Sequence, residues 1–210
     1  MLVIESIKKL QKDPSKVELF FDDSSKITLL LDTVAKFSLY EGREISQEEY
    51  KEIRNFDTKK QLRTKTLSFV TRSLKTEQQV REYIYRHCKG EDLQDDIADE
   101  IIEDLKDFGY IDDHEFAEVF LKSRVKNKPR SKYLLKSEML SKGISKEICD
   151  EVLQELDIND FDLLKKLYEK KFKNERITFD DKKKISFLSR KGFSWDTISE
   201  LINSFEENDA

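Results

Sequence analysis

Two short stretches of this chain close one helix and open the next in the same way. Met139-Leu140-Ser141-Lys142-Gly143-Ile144-Ser145 and Leu188-Ser189-Arg190-Lys191-Gly192-Phe193-Ser194 run Lys-Gly, apolar, Ser in register, with the glycines 49 residues apart. Glycine supplies the left-handed residue that ends a helix, the apolar residue packs back on the finished turn, and serine caps the helix that follows. A second pair keeps step: Phe116-Ala117-x-x-Phe120 and Leu163-Leu164-x-x-Leu167, 47 residues apart, with Asn159 at the cap position of Asp112. A period in the upper forties holds three helices, so the pattern predicts tandem helical repeats. Only five glycines and two prolines occur in 210 residues, which excludes collagen-like, linker-like and many-hairpinned chains.

The beginning reads differently. Val3–Leu10, Val17–Phe21 and Ile27–Leu31 are β-branched and apolar runs separated by Asp13-Pro14-Ser15-Lys16 and Asp22-Asp23-Ser24-Ser25. They predict a three-stranded antiparallel sheet, covered by a short helix around Thr33 to Tyr40. From Ser46 the texture is helical. Ser46-Gln47-Glu48-Glu49, Thr76-Glu77-Gln78-Gln79 and Asp112-Asp113-His114-Glu115 have capping-box spacing. The expected fold is mainly α: tandem three-helix repeats in an elongated curved array, with a small β-containing N-terminal extension. The boundaries are 1–45 for the sheet and short helix, then 46–110, 111–157 and 158–210 for the repeats.

Charge is blocked along the chain. Lys59 to Lys89 carries nine Lys/Arg against Glu77 and Glu82; Glu91 to Glu118 carries thirteen acids with Lys106 alone opposing them. Phe120 to Lys142 returns eight basic residues against Glu138. Such blocks fit helix faces that attract one another across a bundle. They also fit a surface docking on a partner that carries both signs.

Chemistry is sparse. His87 and His114 are the only histidines, and the five glycines are dispersed, so no phosphate-cradling loop is present. His87 and Cys88 are adjacent on a helix, roughly 100° apart, and cannot point at one metal. Asp95-Asp96, Asp99-Glu100 and Glu103-Asp104 offer paired carboxylates along one helix face with nothing basic or aromatic framing them, a distant candidate for a divalent cation. The expectation is no enzyme, no cofactor and no metal. The longest apolar runs are far shorter than a membrane span. Met1-Leu2-Val3-Ile4-Glu5 lacks a basic stretch followed by an apolar core, so a cytoplasmic protein with free thiols at Cys88 and Cys149 is expected. No heptad seam calls for a dimer, so a monomer is expected.

Gly109-Tyr110-Ile111-Asp112-Asp113-His114-Glu115-Phe116-Ala117 resembles the "GYLDD..FA" junction of the RecX regulatory proteins. Arg124, a basic loop and Met139-x-x-Lys142-Gly143-Ile144 continue the likeness, as do Phe187-Leu188-x-x-Lys191-Gly192-Phe193-Ser194 and Ile198-x-x-Leu201-Ile202. It covers roughly residues 60 to 205. The resemblance implies binding to the RecA recombinase filament on single-stranded DNA. It also implies restraint of strand exchange, ATP turnover and coprotease activity, with consequences for DNA repair and the SOS response. Arg72, Lys75, Arg81, Lys122, Arg124, Lys126, Lys128, Arg130, Lys132 and Lys136 are then the candidate contacts with filament or DNA. Gly109, Tyr110, Asp112, Asp113, Phe116 and Ala117 are read as a structural junction, with Tyr110, Phe116, Ala117 and Phe120 as its core. A helical-repeat scaffold for an unrelated protein, without nucleic acid, is the alternative, and salt dependence separates the two.

Overall fold

A computed structural model of the chain describes residues 1–88, 94–173 and 175–207. Lys89 and Glu91, at the border of the first two charge blocks, lie outside the described residues, as do residues 174 and 208–210 of the expected third repeat. The chain divides into two compact units, Met1–Arg72 with Tyr83–Asp104, and Ser73–Glu82 with Leu105–Ala210.

In the first unit, β1 (Leu2–Lys9), β2 (Lys16–Phe21), β3 (Lys26–Leu30) and β4 (Glu44–Ile45) form one antiparallel sheet in the order β3-β2-β1-β4. Strand side chains alternate, so Val17, Leu19 and Phe21 of β2 enter the core together. They meet Ile4, Leu29, Ile45 and Ile53. The sheet thus has one strand more than the sequence predicts. β4 is two residues long, too short for alternation to show, and it pairs Ile45 with Leu2. The short helix α1 (Leu31–Lys36) starts earlier and stops sooner than expected, at a turn with Ser38 in the left-handed region.

Helix α2 (Gln47–Val70) begins at Ser46, whose hydroxyl oxygen accepts the Glu49 N–H. Glu49 directs its carboxylate to Arg43, 2.5 Å away. On the inner face of α2, buried Asp57 accepts the Leu30 N–H at 2.8 Å, the Thr33 hydroxyl at 2.6 Å and the Gln61 amide at 2.6 Å. Three donors on one carboxylate satisfy its lone pairs and close the start of α1. Helices α3 (Glu77–His87) and α4 (Gln94–Asp107) have residues in both units. Within the first unit, Tyr83 stacks on Phe69 at 4.2 Å, and Arg63 pairs with Glu100 and Asp104.

The second unit holds α5 (Asp113–Asn127), α6 (Lys132–Leu140), α7 (Lys146–Glu155), α8 (Asp160–Phe172), α9 (Lys182–Arg190) and α10 (Trp195–Glu207). They are two consecutive three-helix repeats over one core, which includes Ala117, Leu121, Leu135, Met139, Leu164 and Leu188. The predicted caps are present: Asp112 accepts the His114 and Glu115 N–H groups, Asn159 the Asp162 N–H, Ser145 the Ile148 N–H and Ser194 the Thr197 N–H. Gly143 and Gly192 have φ of +86° and +87°, and Ile144 and Phe193 behind them are buried.

The repeats are also stapled alike. At the N-terminus of α3, the Thr76 hydroxyl donates to the Lys142 carbonyl at 2.7 Å and the Glu77 N–H donates to Asp113 at 2.9 Å. At the N-terminus of α6, the Ser131 N–H donates to the Lys191 carbonyl at 3.0 Å and the Lys132 N–H to Asp160 at 2.6 Å. Each Lys-Gly turn therefore seats against the start of the second helix of the preceding repeat. A Cβ on Gly143 would lie 2.1 Å from Gln78 Oε1, and one on Gly192 2.3 Å from Ser131 Oγ. Glycine is required twice over, by backbone conformation and by this approach.

Candidate partner-binding surface

The basic block of α5, the 128–131 loop and α6 sorts into held and unheld cations. Phe120 lies half-buried with the Arg124 guanidinium over its ring at 4.9 Å and Lys142 at 5.7 Å. The Nε of Arg124 stands 2.9 Å from Glu138, and Arg130 pairs with the same carboxylate. Glu138, the one acid of this block, is thus clamped between two arginines. Charge-assisted pairing of this kind fixes the loop to α6. Lys122 is taken by Glu118 and Lys136 by Asp150. Lys126, Lys128 and Lys132 are exposed and have no ion-pair partner among the described residues. Tyr133, beside Lys132, is 75% exposed.

Beside this rim lies a groove of about 830 Å³ between the C-terminal half of α5 and α8. Val125, Leu156, Ile158 and Leu163 give it aliphatic walls, and Lys122, Lys126, Lys166 and Lys170 line it. Asp157, Asp162 and Glu169 line it too, so the groove carries both signs. The Lys170 ammonium donates to the Asn127 carbonyl at 2.8 Å, tying α8 to the end of α5. Lys166 and Lys170 are absent from the contacts read off the sequence. Their i, i+4 spacing on α8 is the signal that finds them.

The other candidates lie elsewhere. Arg81 pairs with Glu77 at 3.1 Å, and Lys75 donates to the Ser73 carbonyl at 3.1 Å. Both belong to the second unit, whereas Arg72 is an exposed residue of the first. Much of the 59–89 block serves internal pairing: Lys59 with Glu100, Arg63 with Glu100 and Asp104, Lys60 with Asp32.

In the junction motif, Ala117 is fully buried and Phe116 half-buried against Phe120, ring centroids 6.3 Å apart. Tyr110 departs from the expected core position: it is 41% exposed, because the turn at Gly109 sends Ile111 inward in its place. Asp113 is the staple to α3. Burial raises its pKa above the ordinary aspartate value, partly opposed by the Glu77 N–H it accepts.

Asp95, Asp99 and Glu103 do not come together as a ligand cluster among the described residues; Asp95 accepts the Tyr85 hydroxyl at 2.5 Å. The group that does come together is His114, Glu118 and Glu155, one ligand atom from each within 4.8 Å of the others. His114 Nε2 stands 3.4 Å from Glu155, and Glu118 is held by Lys122. Cys88 and Cys149 are buried thiols outside any disulfide, and burial raises both thiol pKa values. No helix among the described residues is long and apolar enough to cross a membrane.

Comparison with known proteins places these helices. Residues 112–153 match the family model "RecX, second three-helix domain", and residues 158–202 match "RecX, third three-helix domain". The chain is 30% identical to the "Regulatory protein RecX" of Clostridium tetani (strain Massachusetts / E88), over 98% of this chain and 95% of that protein. It is 27% identical to the "Regulatory protein RecX" of Clostridioides difficile (strain 630), over the full length of both. A solved structure described as "Crystal structure of regulatory protein RecX" superposes with a TM-score of 0.64 at 19% identity, covering 97% of this chain and 100% of that one.

Proposed function

The chain belongs to the RecX family of regulatory proteins, and on that premise we propose that it binds the RecA recombinase filament on single-stranded DNA and restrains it. Binding hinders recombinase, ATPase and coprotease activities, and so moderates DNA repair and the SOS response. The protein acts in the cytoplasm, as a monomer and without catalysis of its own.

The observation that supports this reading is the set of unheld cations Lys126, which lines a groove of both signs, and Lys128 and Lys132 on the loop and helix that follow, all within the residues matched to the family. An unpaired lysine is available to a partner, whereas Arg124 and Arg130 are already engaged by Glu138 and Lys136 by Asp150. Lys126, Lys128 and Lys132 therefore carry the contact with filament or DNA, and Arg124 and Arg130 hold the loop that presents them.

The test is ATP hydrolysis by cognate RecA on single-stranded DNA with this protein titrated in at two salt concentrations. Inhibition that weakens steeply with salt is expected. Absence of inhibition at several-fold excess removes the recombinase reading.

A further inference from the structure

Phe179 and Trp195 are 16 residues apart in the chain, yet their rings meet at 6.2 Å with planes tilted by 47°. Phe179 is 47% exposed and Trp195 56% exposed. Repeat packing does not ask for them. Counted from the caps, the second repeat has Pro129 in place of Phe179 and Lys146 in place of Trp195. The same scaffold therefore forms without either ring.

Both rings stand on fixed backbone. The Thr178 N–H donates to the Asp181 carboxylate at 2.9 Å and the Asp181 N–H to the Thr178 carbonyl at 3.1 Å, closing the turn that carries Phe179. Trp195 follows Ser194, whose hydroxyl oxygen accepts the Thr197 N–H at 3.2 Å. Next to the turn is α9, Lys182-Lys183-Lys184-Ile185-Ser186-Phe187-Leu188-Ser189-Arg190, which has four cations and no acid. Lys184 folds inward to Glu175 and the Arg176 carbonyl, while Lys182 and Lys183 are exposed without a side-chain partner among the described residues. Asp180, Asp181 and Asp196 are the counter-charges; Asp181 is occupied by Thr178, and Asp196 lies in the first turn of α10, where the helix field offsets it.

We infer that Phe179 and Trp195, with the lysines of α9, form a stacking site for the bases of single-stranded nucleic acid. Exposed rings offer a π-face to any base, and nearby lysines attract the backbone, which is how sequence-tolerant single-strand binders work. The inference rests on the nucleic-acid half of the proposed function and not on contact with the recombinase.

Trp195 is the only tryptophan of the chain and reports directly on its own site. A fluorescein-labelled oligo(dT) titration should give tryptophan quenching that saturates in step with the rise in oligonucleotide anisotropy. Phe179→Ala and Trp195→Leu should each weaken oligo(dT) binding about tenfold, with unchanged circular dichroism. The inference falls if anisotropy reports binding while tryptophan emission stays constant and both variants bind as the parent does. It falls equally if oligo(dT) does not bind. RecA inhibition without oligo(dT) binding would sink this site and leave the proposed function standing. Saturable quenching without RecA inhibition would do the reverse.

Discussion

The second and third repeats share a skeleton and differ in what they show to a partner. Both end the second helix on a Lys-Gly turn with φ near +86°, and both seat that turn on the start of the preceding second helix. The outer surfaces diverge. The second repeat presents Lys126, Lys128 and Lys132 beside a groove; the third presents a Phe–Trp pair beside a cationic helix. What recurs is what the fold needs, and what does not recur is where binding chemistry is to be sought.

The largest effect should come from attacking what recurs. Gly192→Ala forces a side chain into the left-handed region, costing about 2 kcal/mol, and drives a Cβ onto Ser131. Chemical denaturation should show at least that loss, with Gly143→Ala close behind. Equal stability of Gly192→Ala and the parent would mean that the turn is not part of the repeat contact.

Attacking what differs should spare stability and remove binding. Charge reversal at Lys126, Lys128 and Lys132 should shift the denaturation midpoint little, since none is paired. It should weaken RecA inhibition at least about tenfold and flatten its salt dependence. Arg130→Glu is the contrasting variant, because it places a second acid against Glu138 and breaks the clamp with Arg124. It should destabilise the protein where the lysine variants do not.

Smaller effects grade the junction. Asp112→Ala removes the cap of α5 and should cost about 1 kcal/mol. Asp113→Asn should cost less or nothing, because asparagine still accepts the Glu77 N–H without an ionised, half-buried group. The raised pKa fixes the sign. Asp113 contributes stability below its unfolded value, and that contribution is lost as pH rises through the folded one. The parent should therefore gain on Asp113→Asn as the pH falls into the carboxylate range, which thermal melts of both at acidic and neutral pH will measure.

What was legible in the sequence was local. A cap spans three residues and a Lys-Gly turn spans four, so Ser145, Asn159, Gly143 and Gly192 announce themselves, and their recurrence announces the repeat. Strands β1 to β3 are β-branched and apolar runs set off by turn clusters and long enough to show, whereas β4 is two residues recruited by pairing with β1. Charge blocks are visible too, but which charges remain available depends on helices meeting across the fold. Lys59 and Arg63 find Glu100, and Arg124 and Arg130 find Glu138. Tyr110 belongs to a recognisable motif yet points out, since the buried position is filled by Ile111. The Phe179–Trp195 contact joins a turn to a helix start, and no spacing rule connects them.

The most direct test of the account compares the parent with the Lys126, Lys128 and Lys132 charge-reversal variant as inhibitors of RecA ATP hydrolysis on single-stranded DNA, at low and high salt. Strong, salt-sensitive inhibition by the parent and a large loss in a variant that melts normally are expected. Equal inhibition by both proteins at both salts would contradict the account.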